Sequence, residues 1–493
     1  MMMLRRWLHI LTATACLSTL IACQSDDEQA AVQNFGDCYV NLAITVDNGH
    51  GSHRADPAPQ GGEDGDGREA GFERENTIKG ITLILYKDDN GINTAANPTL
   101  ALVRYYPVTE RTAGTMPVEI TYTTGNQPLG WNTLDMTATY HAIVIANAPE
   151  LGTQLTEGVS TLNDVRAMTT RLACVGNATA SAALCTNFVM SSEKDHTINF
   201  GVVTPTKLDG TTWTAGSDAL FDLTPYPIVI ERLAARIDFW AGHSTGFDAT
   251  TYSKPGYVYP VTGSATDRFV ITGIMPFNLV NGHASFGNEF VLKRVSANAA
   301  ALEGGTFRYL ADETTDSYVV DPQTSGKNTT ASLVNPLSAV YAEITAGTIT
   351  ANAYYQSVAD MHAATATTIS GSEDVVVAYP MENTLLTTSK PYYYATGVLI
   401  VGYYYTNGAG AGTPYYYLGY LRHQGDAESY DILPSSTELS NSETMGTSPA
   451  MKYGVVRNNI YRISINSIDK KGILDLKIEV KKWDKFTHQT IYM

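Results

Sequence analysis

Charge is scarce in this chain of 493 residues: only 16% of positions are Asp, Glu, Lys or Arg, against about 25% in an average globular protein. Beside 44% hydrophobic residues, that excludes a wholly disordered chain and a coiled coil. Positive charge is scarcer still. The 32 Lys and Arg face 49 Asp and Glu, a net charge of −17, so a phosphate backbone is repelled and nucleic acid is no partner. The 10 histidines are scattered, with no H-E-x-x-H and no pair at ligand spacing, which speaks against a metal site. No cofactor is implied. Beyond residue 23 no run reaches roughly 18 consecutive apolar residues, so no later segment is expected to cross a membrane as a helix.

What is present points to sheet. Tyr (30 residues), Gly (41), Thr and Val are plentiful, and these are strand and turn formers. At roughly 150 residues per domain the length suits two domains or three. Residues 1–22 read as a signal peptide. Arg5 and Arg6 form a positive start, and an apolar stretch from Trp7 to Ala22 ends in small residues. The stretch closes with Leu20-Ile21-Ala22-Cys23, which resembles a bacterial lipobox; Cys23 then carries the lipid on a thioether. The acidic run Gln24-Ser25-Asp26-Asp27-Glu28 follows and resembles a surface-export tag. Of the 5 cysteines, Cys16 leaves with the signal and Cys38 stands alone. Cys174 and Cys185 flank a short Gly/Ala/Asn loop, and either form a disulfide in an oxidising compartment or remain two buried thiols.

Val40, Leu42, Ile44 and Val46 alternate along the first strand of the exported chain. Residues 47–76 are rich in Gly, Asp, Glu and Pro and read as an exposed loop open to proteolysis. Its Glu63-Asp64-Gly65-Asp66-Gly67 lacks the ligand ladder and terminal Glu of a calcium loop. Strands are predicted at 78–86, 100–106, 118–123, 140–148, 187–192, 268–273, 338–344, 375–379, 392–405 and 415–420, and a short helix at 161–173. The segments 396–405 and 414–421 form a hairpin around a Gly-rich loop. A Pro-rich approach precedes PIVIERLAARIDFW at 227–240, so a domain boundary is placed near Pro225. The predicted fold is mainly β: two antiparallel β-sandwich domains with a few short helices, at 55–225 and 226–493.

One enzymatic pattern occurs. Gly242-His243-Ser244-Thr245-Gly246 matches G-x-S-x-G, but the nucleophile elbow needs a helix directly after the Ser, and Phe247–Gly256 does not read as one. A catalytic role is not expected. A second pattern is harder to set aside. Leu474, Leu476, Ile478 and Val480 of the last strand repeat the period of Val40, Leu42, Ile44 and Val46. Either row could fill the same four pockets. Cutting the loop after the first strand would let it leave, and a strand from another chain could enter. Four such side chains are worth on the order of 6–12 kcal/mol of burial. Alternation alone does not separate this from two permanent strands.

Several segments resemble the fimbrillins of Bacteroidales, the subunits of type V pili. They are Val455-Val456-Arg457-Asn458-Asn459-Ile460-Tyr461 running on as RISINSIDKKG, the final strand ending in Trp483, Tyr140–Ala148 with Asn147-Ala148-Pro149, RLAAR at 232–236, Pro380-Met381-Glu382-Asn383-Thr384, and the lipobox. The match is nearest to the stalk subunit of short fimbriae and is patchy through 250–370. It implies transthyretin-like, Greek-key sandwiches and a structural, adhesive role without catalysis. It also implies an outer-membrane lipoprotein precursor cut by an Arg-specific protease. Arg54, followed by Ala55, fits that position best, with Arg68 and Arg74 as fallbacks. Residues 23–54 then leave as a propeptide, and the groove takes the C-terminal segment of a second copy, head to tail. The donor is 474–483, the tail 484–493, or both, because only Ser467–Gly472 separates the last two strands, where the family carries a long insertion. Trp483 falls out of the 474/476/478/480 register, which suggests a bulge or strand switch. Accessory anchor and tip subunits, and a host or bacterial surface receptor, are the further partners implied. An accessory or tip adhesin of the same pilus, and a glycan-binding lipoprotein that never polymerises, are the alternatives.

Overall fold

The structure is a computed structural model. It describes residues 35–46, 68–70, 75, 77–87, 97–113, 119–129, 134–136, 138–148, 151–166, 188–192, 196–280, 294–296, 306–308, 318–320, 333–363, 374–380, 383, 391–421, 454–455, 457–469 and 474–484. It is mainly β, as the composition requires, with a few short helices.

The first large sheet has the order Leu100–Pro107, Gly80–Tyr86, Thr139–Ala146, Met190–Ser192, Ile228–Arg232, Ala43–Val46, Glu119–Thr123 and Thr109–Ala113, with His196–Asn199 paired to Thr139–Ala146. A small sheet of Ala219–Asp222, Cys38–Asn41 and Gln127–Pro128 accompanies it. Apolar strands such as GITLILY at 80–86 are buried along their whole length, as continuous hydrophobic runs demand.

The second large sheet runs Asp374–Ala378, Arg236–Trp240, Asn459–Asp469, Gly256–Thr262, Arg268–Phe277, Gly397–Tyr405 and Thr413–Tyr420. The last strand, Leu474–Asp484, pairs antiparallel with Asn459–Asp469. Both faces of its central strands are covered. Val398 and Ile400 join one core, while Leu399 and Val401 join another against the helix Leu337–Ala346. The Gly-rich hairpin forms as expected, with Gly397 opposite Tyr420 and Tyr404 opposite Thr413. Parallel pairings also occur, as between Ile228–Ile230 and Ile44–Val46, so the sheets are mixed rather than purely antiparallel.

Two strand assignments change. Residues 338–344 lie in the helix Leu337–Ala346, which starts after Pro336 and ends at Gly347 with φ 70°. Its buried Leu337 and Val340 are three apart, and the left-handed Gly is a common helix stop. Residues 392–394 likewise belong to a short helix, Pro391–Tyr394, before the strand Gly397–Tyr405 begins.

The crossing between the two large sheets lies at 233–235. Ile228–Arg232 still pairs with Met190–Ser192 in the first sheet, and Arg236–Trp240 enters the second. The strand after the Pro-rich turn therefore completes the first sheet.

Candidate functional site

The first strand is split in two. Cys38–Asn41 lies between Ala219–Asp222, to which it is parallel, and Gln127–Pro128, to which it is antiparallel. Ala43–Val46 lies between Ile228–Ile230, parallel, and Thr121–Thr123, antiparallel. The change of sheet falls at Leu42, whose N–H donates to Thr124 Oγ1 (3.0 Å) and whose carbonyl accepts from the Thr124 N–H (3.1 Å). The segment is thus an interior strand in both sheets. Val40, Leu42, Ile44 and Val46 are each at most 1% exposed and share the first core. At its entrance Phe35 packs against Trp213 and Phe221, with ring centroids 4.8 and 5.6 Å away. Cys38 is a free, buried thiol. Burial first, then the charges of Asp37 and Asp218, push its pKa up from an ordinary 9.0 to about 12, so it is inert at neutral pH.

Over residues 474–481 the last strand has one neighbour among the described residues, the strand Asn459–Asp469 of the second sheet. Its ladder pairs Asn459 with Lys482, Tyr461 with Val480 and Ile463 with Ile478. The register shifts between Ile465 and Ser467, on the partner strand. Trp483 sits where the strand hands over to a new neighbour: Lys482, Trp483 and Asp484 pair in parallel with Arg68, Glu69 and Ala70. Leu474 and Leu476 are buried in the second core at 1% and 3% exposure.

Between the two sheets lies a buried polar cluster that periodicity could not reveal. Glu75 is 0% exposed and its carboxylate meets Arg236 at 3.0 Å. Tyr379 donates its hydroxyl to the same carboxylate, and the Glu75 carbonyl accepts from Arg232 Nε at 3.0 Å. Arg236 also grips Asp238, two residues along its own strand, at 2.7–3.1 Å. Arg232 reaches Asn458 Oδ1 at 2.8 Å. Burial opposes the Arg236 charge, but Asp238 and Glu75 more than offset it and hold the guanidinium protonated. The RLAAR segment is therefore the bolt between the sheets, and Glu75 fastens to it the chain that follows the 47–74 region.

Ser244 of the G-x-S-x-G pattern sits in a turn, its Oγ accepting from the Gly246 N–H at 3.2 Å. The next element is the strand Phe247–Asp248, not the helix an elbow needs. Among the described residues no three His, Cys, Asp or Glu are placed to hold a metal ion, and no helix is long and apolar enough to cross a membrane. The signal peptide 1–22, Cys23, Arg54, Ala55, Arg74, Cys174, Cys185 and the tail 485–493 lie outside the described residues.

No protein-family model matches the chain, and no curated protein matches it. Among solved structures, the chain is similar to the tip fimbrial protein Mfa3 of Porphyromonas gingivalis, with C-terminal truncation: 10% identity over 91% of this chain and 100% of that one, TM-score 0.40. A fimbrilin (FimA) of Porphyromonas gingivalis W83 matches at 13% identity over 91% and 98%, TM-score 0.36. A fimbrial assembly protein of Parabacteroides distasonis matches at 11% identity over 91% and 98%, TM-score 0.30. Likeness at these levels assigns neither a family nor an activity to this chain.

Proposed function

We propose that this chain is a structural subunit of a surface fimbria serving adhesion. It is exported as a lipoprotein through Cys23, cut after Arg54 by an Arg-specific protease, and polymerised when the groove vacated by the first strand receives a strand from a second copy. The observation that carries this reading is the interior position of residues 38–46 in two sheets, with all four large side chains buried. Loss of an edge strand only narrows a sheet. Loss of this one leaves a slot with an unpaired backbone on each wall and four apolar pockets in its floor.

A protease takes its substrate as an extended, unpaired segment. Arg68 is laddered to Lys482. Arg74 immediately precedes Glu75, which is held in the buried cluster. Both observations favour Arg54, giving a mature chain of 55–493. The donor lies in 474–493. Leu474–Asp484 leaves by breaking one long ladder and three pairs with 68–70. Leu474 and Leu476 are already buried, so the gain on transfer arises on the acceptor's side, where the groove is covered.

A second reading, an accessory or tip subunit that offers only a groove, is favoured by the pairing of Leu474–Asp484 within its own sheet. The deciding experiment is the N-terminus and intact mass of protein taken from the cell surface. A start at Ala55 without lipid, in ladders that resist mild denaturation, supports the stalk subunit. The same start in a protein found singly per filament supports the tip. A lipidated Cys23 start, in a protein still monomeric after Arg-specific proteolysis, overturns both.

A further inference from the structure

A pocket of about 580 Å³ opens on the first half of the molecule, between the strand His196–Asn199, residues 202–204 and the segment 222–228, with Leu42 in its lining. We propose that it is a binding site for a neutral sugar unit. The inference concerns the unprocessed chain, in which Leu42 of the first strand is in place.

The volume falls within the roughly 300–1,000 Å³ of small-molecule sites. No Lys or Arg lines it, and Asp222 is its single acidic residue. In a chain of net charge −17, that disfavours an anionic ligand. Five large hydrophobic side chains are exposed among the described residues, and two of them, Val202 at 76% and Tyr226 at 73%, line this pocket. Exposed apolar side chains gathered at a concave site mark a contact surface. Tyr226 stands between Pro225 and Pro227, and its N–H donates to the Leu223 carbonyl at 3.0 Å. Two fixed φ angles and that turn restrain the backbone that carries the ring, so less backbone freedom is lost on binding. A flat phenol ring is suited to the C–H face of a pyranose, which is apolar although the sugar as a whole is polar.

The polar groups complete the match. Asp222 Oδ1 accepts from the Thr224 N–H (3.1 Å) and hydroxyl (2.8 Å), which fixes the carboxylate plane. Asn199 Oδ1 accepts from the Gly201 N–H at 3.0 Å, which fixes its amide. One side chain thereby offers a second carboxylate oxygen as acceptor and the other an NH₂ as donor, the complement of vicinal hydroxyls.

The test is saturation-transfer NMR on the purified full-length chain, with the methyl glycosides of glucose, galactose and mannose as probes and 3′-sialyllactose as the anionic comparison. The expected result is millimolar binding of at least one neutral glycoside, with transfer concentrated on one face of the ring. Tyr226→Ala should weaken it about tenfold, the scale of one lost aromatic contact. Tyr226→Phe should retain it, and Asp222→Asn should weaken it with thermal stability unchanged. Absence of transfer to any neutral glycoside overturns the proposal, as does binding that survives Tyr226→Ala. A Tyr226→Ala variant that alters self-association and not glycoside binding makes the pocket a contact between copies, and equally overturns it.

Discussion

Ile44→Ala in the unprocessed chain tests the central claim most directly. Ile44 is 0% exposed and sits between Ile228 on one wall and Tyr122 on the other. The substitution removes three carbon groups, about 2.4 kcal/mol of transfer free energy at ~0.8 each, and leaves a cavity, so the total is about 3 kcal/mol. Urea unfolding followed by intrinsic fluorescence should show the transition that reports on the first large sheet moving to lower denaturant. Trp213, which packs on Phe35 at the strand's entrance, is a local reporter of that transition. After Arg-specific cleavage the substituted residue belongs to the leaving segment. Its weaker hold should then speed strand release, and with it the appearance of ladders, by up to ~100-fold, the rate equivalent of ~3 kcal/mol. An unchanged transition in the precursor would refute the anchoring of the strand. A destabilisation that persists in cleaved, polymerised material would show that the strand never left.

Further outcomes follow from the same geometry. Arg54→Gln should leave the surface protein at full precursor mass, whereas Arg68→Gln and Arg74→Gln should still yield an N-terminus at Ala55; N-terminal sequencing reads all three. Glu75→Gln removes one of the two carboxylates on buried Arg236, which Asp238 still pairs, and should cost about 1–3 kcal/mol, seen as a lowered melting temperature. Cys38 should resist thiol reagents in the folded precursor. Because its pKa rises from 9.0 to about 12 on folding, the unfolded chain sheds the proton first as pH rises. The thiol's contribution is therefore intact below pH 9 and lost between pH 9 and 12. Comparison with Cys38→Ala across that range should isolate the slope.

The parts of the fold legible in the sequence were those written in local period and turn chemistry. The row Val40, Leu42, Ile44 and Val46, the hairpin at 397–420 and the alternating last strands all lie where alternation placed them. The parts that were not legible depend on partners far away in sequence. Nothing local to Leu42 says that the chain changes sheets there; Thr124 and its neighbours impose it. Glu75 looked like one more acid in a loop, yet Arg236, 161 positions on, makes it the fastening of the junction. The helix at 337–346 was misjudged because a seven-residue window favours alternation, whereas Pro336 and Gly347 outside it decide the outcome.

The mixed walls of the groove bear on filament polarity. Each half of the first strand has one parallel and one antiparallel neighbour. A guest strand inserted in either sense would meet one ladder of each kind, so hydrogen bonding is nearly blind to direction. The pocket sequence Val, Leu, Ile, Val is almost its own mirror image as well. What breaks the symmetry is the entrance, where Trp213 and Phe221 receive an aromatic ring from one end only. In a fimbria built this way, head would be told from tail by an aromatic lock at the mouth of the slot rather than by the backbone that lines it.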